Sequence, residues 1–121
     1  MTRFFVYALC LVPMPLLAQD FPTRDSDTRF LPAELTARLS GKVLTYFDKG
    51  KSRYYEDGRY SYTFFGDERE SAGGYWTVRE DAAVCVEFIT GQTRCDMFVE
   101  SGDRLVLVDE KGDRYPVKTE E

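Results

Sequence analysis

Few side chains in this 121-residue chain have the type and spacing for chemistry, and the usual one is missing: it contains no histidine. That removes the commonest general base and the commonest metal ligand, and with them Ser-His-Asp and Cys-His catalysis in their usual forms. A zinc site would need carboxylates alone, and no glycine-rich phosphate loop of recognised spacing is present. Of the three cysteines, Cys10 lies in an apolar N-terminal run, and Cys85 and Cys95 stand with nine residues between them. Thiol oxidoreductases place two residues between their cysteines, so this spacing reads as a structural disulfide, Cys85–Cys95. Closing a loop of about 11 residues contributes roughly 2–3 kcal/mol in the chain-entropy picture.

The carboxylates mostly fall in turns, as at Asp57, Asp67, Glu68, Asp81 and Asp103, where solvated charge is the expectation. Glu87 is different, since it sits inside an apolar strand pattern. It is either an acid with a raised pKa at a site or a rim side chain paired with Arg94 on the neighbouring strand, and the second reading is preferred. Asp25-Ser26-Asp27 and the run Asp109 to Asp113 lack the alternating oxygen ligands of a calcium loop and read as turns. No catalytic residue, metal or cofactor is expected. The aromatic density is the better lead. Tyr46, Phe47, Tyr54, Tyr55, Tyr60, Tyr62, Phe64, Phe65, Tyr75 and Trp76 crowd one part of the chain. Such rings pack across strands or, on an exposed sheet face, stack on sugars and receive a partner's side chains. Tyr54, Tyr55, Tyr60, Tyr62 and Phe64 are the candidate binding residues, and Trp76 is the candidate core anchor beside the cysteines.

The elements that position these groups begin after residue 18. Arg3, the apolar run from Phe4 to Leu17 and the small exit residue Ala18 have the form of a secretory signal peptide over 1–18, too short and too proline-interrupted to span a bilayer. Cys10 would leave with it. Its removal takes one positive charge from a chain whose net charge is −5. An acidic exported domain disfavours nucleic acid and anionic lipid as partners. Residues 19–30 are polar and aperiodic and read as a flexible leader; 31–121 read as one β-rich domain. Within it, Leu31, Leu35 and Leu39 form the apolar stripe of a short helix, with Pro32 in its first turn and Gly41 as its C-terminal cap. This stripe must dock on something.

Beyond Gly41, short aromatic or β-branched runs alternate with turn signals such as Asp57-Gly58, Gly91-Gln92 and Gly112-Asp113. The runs predict strands near 42–47, 51–56, 59–65, 74–79, 83–89, 93–99, 104–109 and 113–118. Connections this short require antiparallel neighbours. The fold class is therefore mainly β: a meander of about eight strands forming a small barrel or strongly curled sheet, with one short N-terminal helix. Val84-Cys85-Val86 and Leu105 to Val108 are apolar on both faces, so both faces should be covered, one by the helix and one by the curled sheet. Direct pairing of residues 85 and 95 centres their turn on Thr90, which needs an odd-length loop or a bulge.

The linked pattern Leu39-Ser40-Gly41, Tyr55-x-Asp57-Gly58-x-Tyr60, Gly74-x-Trp76-x-Val78, Cys85-Val86 and Gly91-x-x-Arg94-Cys95 resembles a group of small exported bacterial β-rich proteins without assigned function. The resemblance covers most of the mature chain and implies no catalytic residues. Gly74-Tyr75-Trp76 is similar to the Gly-x-Trp element of lipocalins but lies mid-chain rather than opening the first strand. In size, export signal, single disulfide and meander the chain is also similar to periplasmic lysozyme inhibitors. Together these features imply a periplasmic or secreted, non-enzymatic binding domain. In the leading reading its aromatic sheet face contacts a protein or envelope glycan, for instance to inhibit a cell-wall enzyme. In the alternative it is a lipocalin-like barrel carrying a small apolar ligand in a cavity lined by Tyr62, Phe64, Trp76 and Phe88. A third, an enzyme using Glu87 and a second acid, is the least favoured.

Overall fold

The computed structural model describes residues 21–65 and 71–121. The expected signal peptide over 1–18 lies outside the described residues. The chain forms β1 (Asp27–Arg29), α1 (Pro32–Leu39), β2 (Lys42–Tyr46), β3 (Lys51–Tyr54), β4 (Arg59–Thr63), β5 (Ser71–Val78), β6 (Ala83–Phe88), β7 (Thr93–Ser101), β8 (Arg104–Val108) and β9 (Arg114–Glu120). From β2 to β8, sequence neighbours pair antiparallel, and β9 pairs with both β8 and β2. The meander therefore closes into an eight-stranded antiparallel barrel with one extra strand, β1. The barrel leaves no edge among its eight strands, which is how small all-β domains avoid edge-to-edge association.

One turn chemistry recurs around the barrel. In five hairpins a tight turn ends on a residue with positive φ: Lys49, Gly58, Ala82, Gly91 and Gly112. In each, the N–H of that residue donates to the carbonyl three positions earlier, as Gly91 does to Phe88 at 2.8 Å. This is the three-residue hairpin loop closed by a left-handed bulge residue. Around Gly91 it leaves Cys85 directly opposite Cys95, the odd-length loop expected from their spacing. The two cysteines form the disulfide.

The helix plugs one end of the barrel. Glu34 accepts a hydrogen bond from the Leu31 N–H at 3.1 Å, and Gly41 leaves the helix at φ 76°. Leu35 and Leu39 are fully buried against Leu44, Tyr54, Trp76 and Phe98. Arg38 fixes the plug by ion pairs to Glu120 at 2.7 Å and Glu100 at 3.3 Å, on two different strands.

Strand alternation sends Leu44, Tyr46, Ser52, Tyr54, Tyr60, Trp76, Val84, Val86, Phe98, Leu105, Leu107 and Val117 inward. A second apolar cluster, Ala83, Cys95, Met97, Val99, Val106 and Val108, lies on the outer face of β6, β7 and β8. Its cover is not the helix, as the two-sided apolar strands implied, but the segment before β1. Phe21, 2 % exposed, packs on that face, and β1 pairs with the far half of β7 where β6 has ended. The flexible leader expected over 19–30 is accordingly corrected from residue 21 onward. A polar segment holds its place here because Phe21 anchors one end and Asp27 forms a two-pronged ion pair with Arg114, each contact 2.8 Å.

Candidate functional site

The interior is not filled from end to end. Beyond the plug, towards the ends of β2, β4 and β6 and the beginnings of β3, β5 and β7, the barrel encloses a cavity of about 240 Å³. Its wall is aromatic and aliphatic: Tyr54, Tyr60, Tyr62, Phe64, Val84, Val86, Phe88, Phe98 and Tyr115 among others. Rings meet edge to face along it, Tyr54 with Tyr60 at 5.3 Å, Tyr60 with Phe88 at 6.0 Å and Tyr62 with Phe64 at 4.9 Å. Such contacts stiffen a wall, since offset edge-to-face pairs are the favoured aromatic geometry. Phe64 is exposed and Tyr62 half-buried, so the cavity opens at the end opposite α1.

Gly74 shapes the wall from β5. It faces inward between Tyr60 and Phe88 on the neighbouring strands. A Cβ there would collide with the backbone of Glu87 and lie 2.9 Å from the Phe88 Cα. Glycine is required because the β6 backbone passes where a side chain would be. Trp76, two residues on, donates its indole N–H to the Tyr55 carbonyl at 2.9 Å and stands edge-on to Tyr54 at 5.3 Å. It is buried behind the cavity wall rather than lining it.

The polar groups of the cavity are few and specific. Ser52 and Tyr60 share a hydrogen bond between their hydroxyls at 3.2 Å. Asp96 projects inward from β7, 8 % exposed, and its Oδ2 accepts from Arg94 Nε at 2.8 Å. Its Oδ1 and the hydroxyl of Tyr46 are buried and have no hydrogen-bond partner among the described residues. Buried polar atoms are nearly always paired; these two are sealed within the wall, out of reach of a water-sized probe, and Ser52 lies close enough to Tyr46 to oppose the rise of its pKa. Burial raises the Asp96 carboxyl above its ordinary pKa, with Arg94 opposing the shift. Burial also pushes the Tyr60 phenol up to about 12 and raises Tyr46 and Tyr54, so these phenols stay neutral at any physiological pH.

The five candidate binding residues do not form one exposed sheet face. Tyr54 and Tyr60 are buried inside the barrel, and Tyr62 and Phe64 line the cavity towards its mouth. Alternation placed their strands' aromatic face inward. Only Tyr55 lies outside, its ring between the guanidinium groups of Arg59 at 4.5 Å and Arg53 at 5.6 Å. No protein-family model and no curated protein sequence matches this chain.

Glu87 is exposed on the outer face and does not meet Arg94, which faces inward opposite Val86 and pairs with Asp96. The Asp109 turn is structural: Asp109 Oδ1 accepts from the backbone N–H groups of Lys111 and Asp113 at 3.0 and 2.8 Å. Sequence reasoning missed Ser52 and Asp96 altogether and assigned Tyr46 no separate role. Asp96 shares its face of β7 with the buried Phe98.

Proposed function

We propose that this chain is an exported, non-enzymatic binding domain, periplasmic or secreted, whose site is the barrel interior: a carrier of a small, largely apolar molecule. The observation that carries the reading is the open-ended cavity of about 240 Å³ with aromatic walls and a few convergent polar groups. Ligand sites have this composition, and an apolar cavity of about 150 Å³ already holds a benzene. The disulfide and the signal-like N-terminal sequence support the compartment. The test is titration of the purified domain with benzene and alkylbenzenes by NMR. Saturable shifts confined to Phe88, Phe98 and Tyr62 are expected, and Ala72→Trp, which places a large side chain in the cavity wall, should abolish them. Saturable shifts that persist in Ala72→Trp, or none in the parent, would defeat the reading.

A second reading keeps a macromolecular partner and moves it to the barrel mouth, where exposed Phe64, Phe65 and Ile89 project. An exposed apolar rim of this kind also suits a protein or envelope glycan. A lysozyme inhibition assay and a peptidoglycan pull-down test it, with Phe65→Ser and Ile89→Ser as the informative variants.

A further inference from the structure

Arg94 carries the donors that a molecule in the cavity can reach. Its Nε is spent on Asp96 Oδ2, and its two Nη groups have no hydrogen-bond partner among the described residues. They are open to solvent, with 54 % of the side chain exposed. Arg94 faces inward from β7 and lines the cavity. Its charge is felt on β4, three strands away around the ring: burial raises the phenols of Tyr60 and Tyr62, and Arg94 opposes both shifts. A guanidinium rooted on β7 with that reach lies over the lumen rather than along its own strand. Such a group donates and never accepts, so whatever meets it must be an acceptor. An ammonium would meet a like charge and no open acceptor on Asp96, whose Oδ1 is sealed. A carboxylate would add a third acid to Asp96 and Asp48, both in the cavity wall, against one guanidinium. A neutral carbonyl oxygen takes both Nη groups on its two lone pairs and adds no charge.

Resting on the carrier reading above, we propose that the cavity selects a small neutral carbonyl compound, a ketone, ester or amide with an aromatic or short alkyl body. Its oxygen accepts from the Nη groups of Arg94 at the mouth, and its body lies inward against Phe88 and Phe98. The volume of about 240 Å³ admits one ring and a short arm.

Calorimetry with four probes of similar length tests this at pH 7: 4-phenylbutan-2-one, 3-phenylpropionate, 3-phenylpropylamine and butylbenzene. The ketone is expected to bind about tenfold or more tighter than either ion. Asp96→Asn keeps Arg94 and removes an acid, so it should tighten the carboxylate by about fivefold and leave the ketone within about twofold. Arg94→Met combined with Asp96→Asn removes the pair whole and strands no buried charge. That variant should weaken the ketone by about fivefold or more and leave butylbenzene within about twofold. The carbonyl stretch of the bound ketone should lie at lower frequency in the parent than in the double variant, which reports the contact itself. An ion bound as tightly as the ketone, a carboxylate unmoved by Asp96→Asn, or a ketone indifferent to the loss of Arg94 would overturn the carbonyl assignment and leave the carrier reading standing. Binding of none of the four would overturn both.

Discussion

At the scale of single residues, Asp96 is the group with the plainest cost. A carboxylate with one unpaired oxygen in an aromatic cavity is destabilising, because burial disfavours its charged form. An acid raised in the folded state carries a penalty at pH above its folded pKa that fades as it protonates, so the empty protein should gain from its removal at neutral pH. Asp96→Asn is expected to hold or raise the urea unfolding midpoint at pH 7, by up to about 1 kcal/mol, with the difference shrinking in acid. A loss of more than 1 kcal/mol would mark Asp96 as a structural group instead. The residue was hard to read in the sequence for a physical reason. In Arg94-Cys95-Asp96-Met97 the polar residues look like the solvent face and Cys95 and Met97 like the core. The covering segment at Phe21 buries the outer face of β7, so its alternation no longer distinguishes inside from outside. Aromatic positions on β3 and β4 misled in a milder way. Their spacing fixed a shared face but not whether it looked inward.

At the scale of elements, the barrel strands were legible largely because several are bracketed by turns with glycine at the positive-φ position, as at Gly58, Gly91 and Gly112. The helix was legible from Leu35 and Leu39 and from Gly41 behind them. β1 was not, since Asp27-Thr28-Arg29 carries no apolar residue and no strand propensity worth reading. It is held by its backbone ladder to β7 and by the Asp27–Arg114 pair, with the Asp27 side chain almost wholly buried. The hydrogen bonds from Arg114 are the main reason the Asp27 carboxyl is lowered to about 2. A carboxyl depressed by folding lends stability that is complete above its unfolded pKa and is lost as pH falls through the folded value. The window is therefore about pH 4 down to pH 2. Asp27→Asn should cost about 1–2 kcal/mol at pH 7, discounted for the partial exposure of Arg114, and only a small fraction of that near pH 2. Urea titrations at both pH values check it, and amide exchange at residues 27–29 should rise selectively in the variant. An equal loss at both pH values would assign the effect to packing rather than charge.

At the scale of the whole molecule, a closed barrel with a helix at one end and a cavity at the other divides stability from binding. Leu35, Leu39 and Trp76 close one end of the core; Asp96, Tyr46 and Phe88 belong to the other. The disulfide lies outside the cavity, on the face covered by Phe21. Replacing both Cys85 and Cys95 by serine should therefore lower stability by roughly 2–3 kcal/mol while leaving ligand affinity unchanged in the folded protein. Denaturant melts alongside a binding titration at 25 °C test this separation, and a parallel loss of affinity would refute it. Topology sets a further condition, on timing. β9 is the eighth of the eight barrel strands in chain order, yet it is the one that sits between β2 and β8. Until residues 114–120 emerge from the ribosome, both of those strands keep a bare edge, and no shorter nascent chain can close the ring. Closure of the ring therefore waits for the strand that joins its two ends, whatever the preceding seven have already paired.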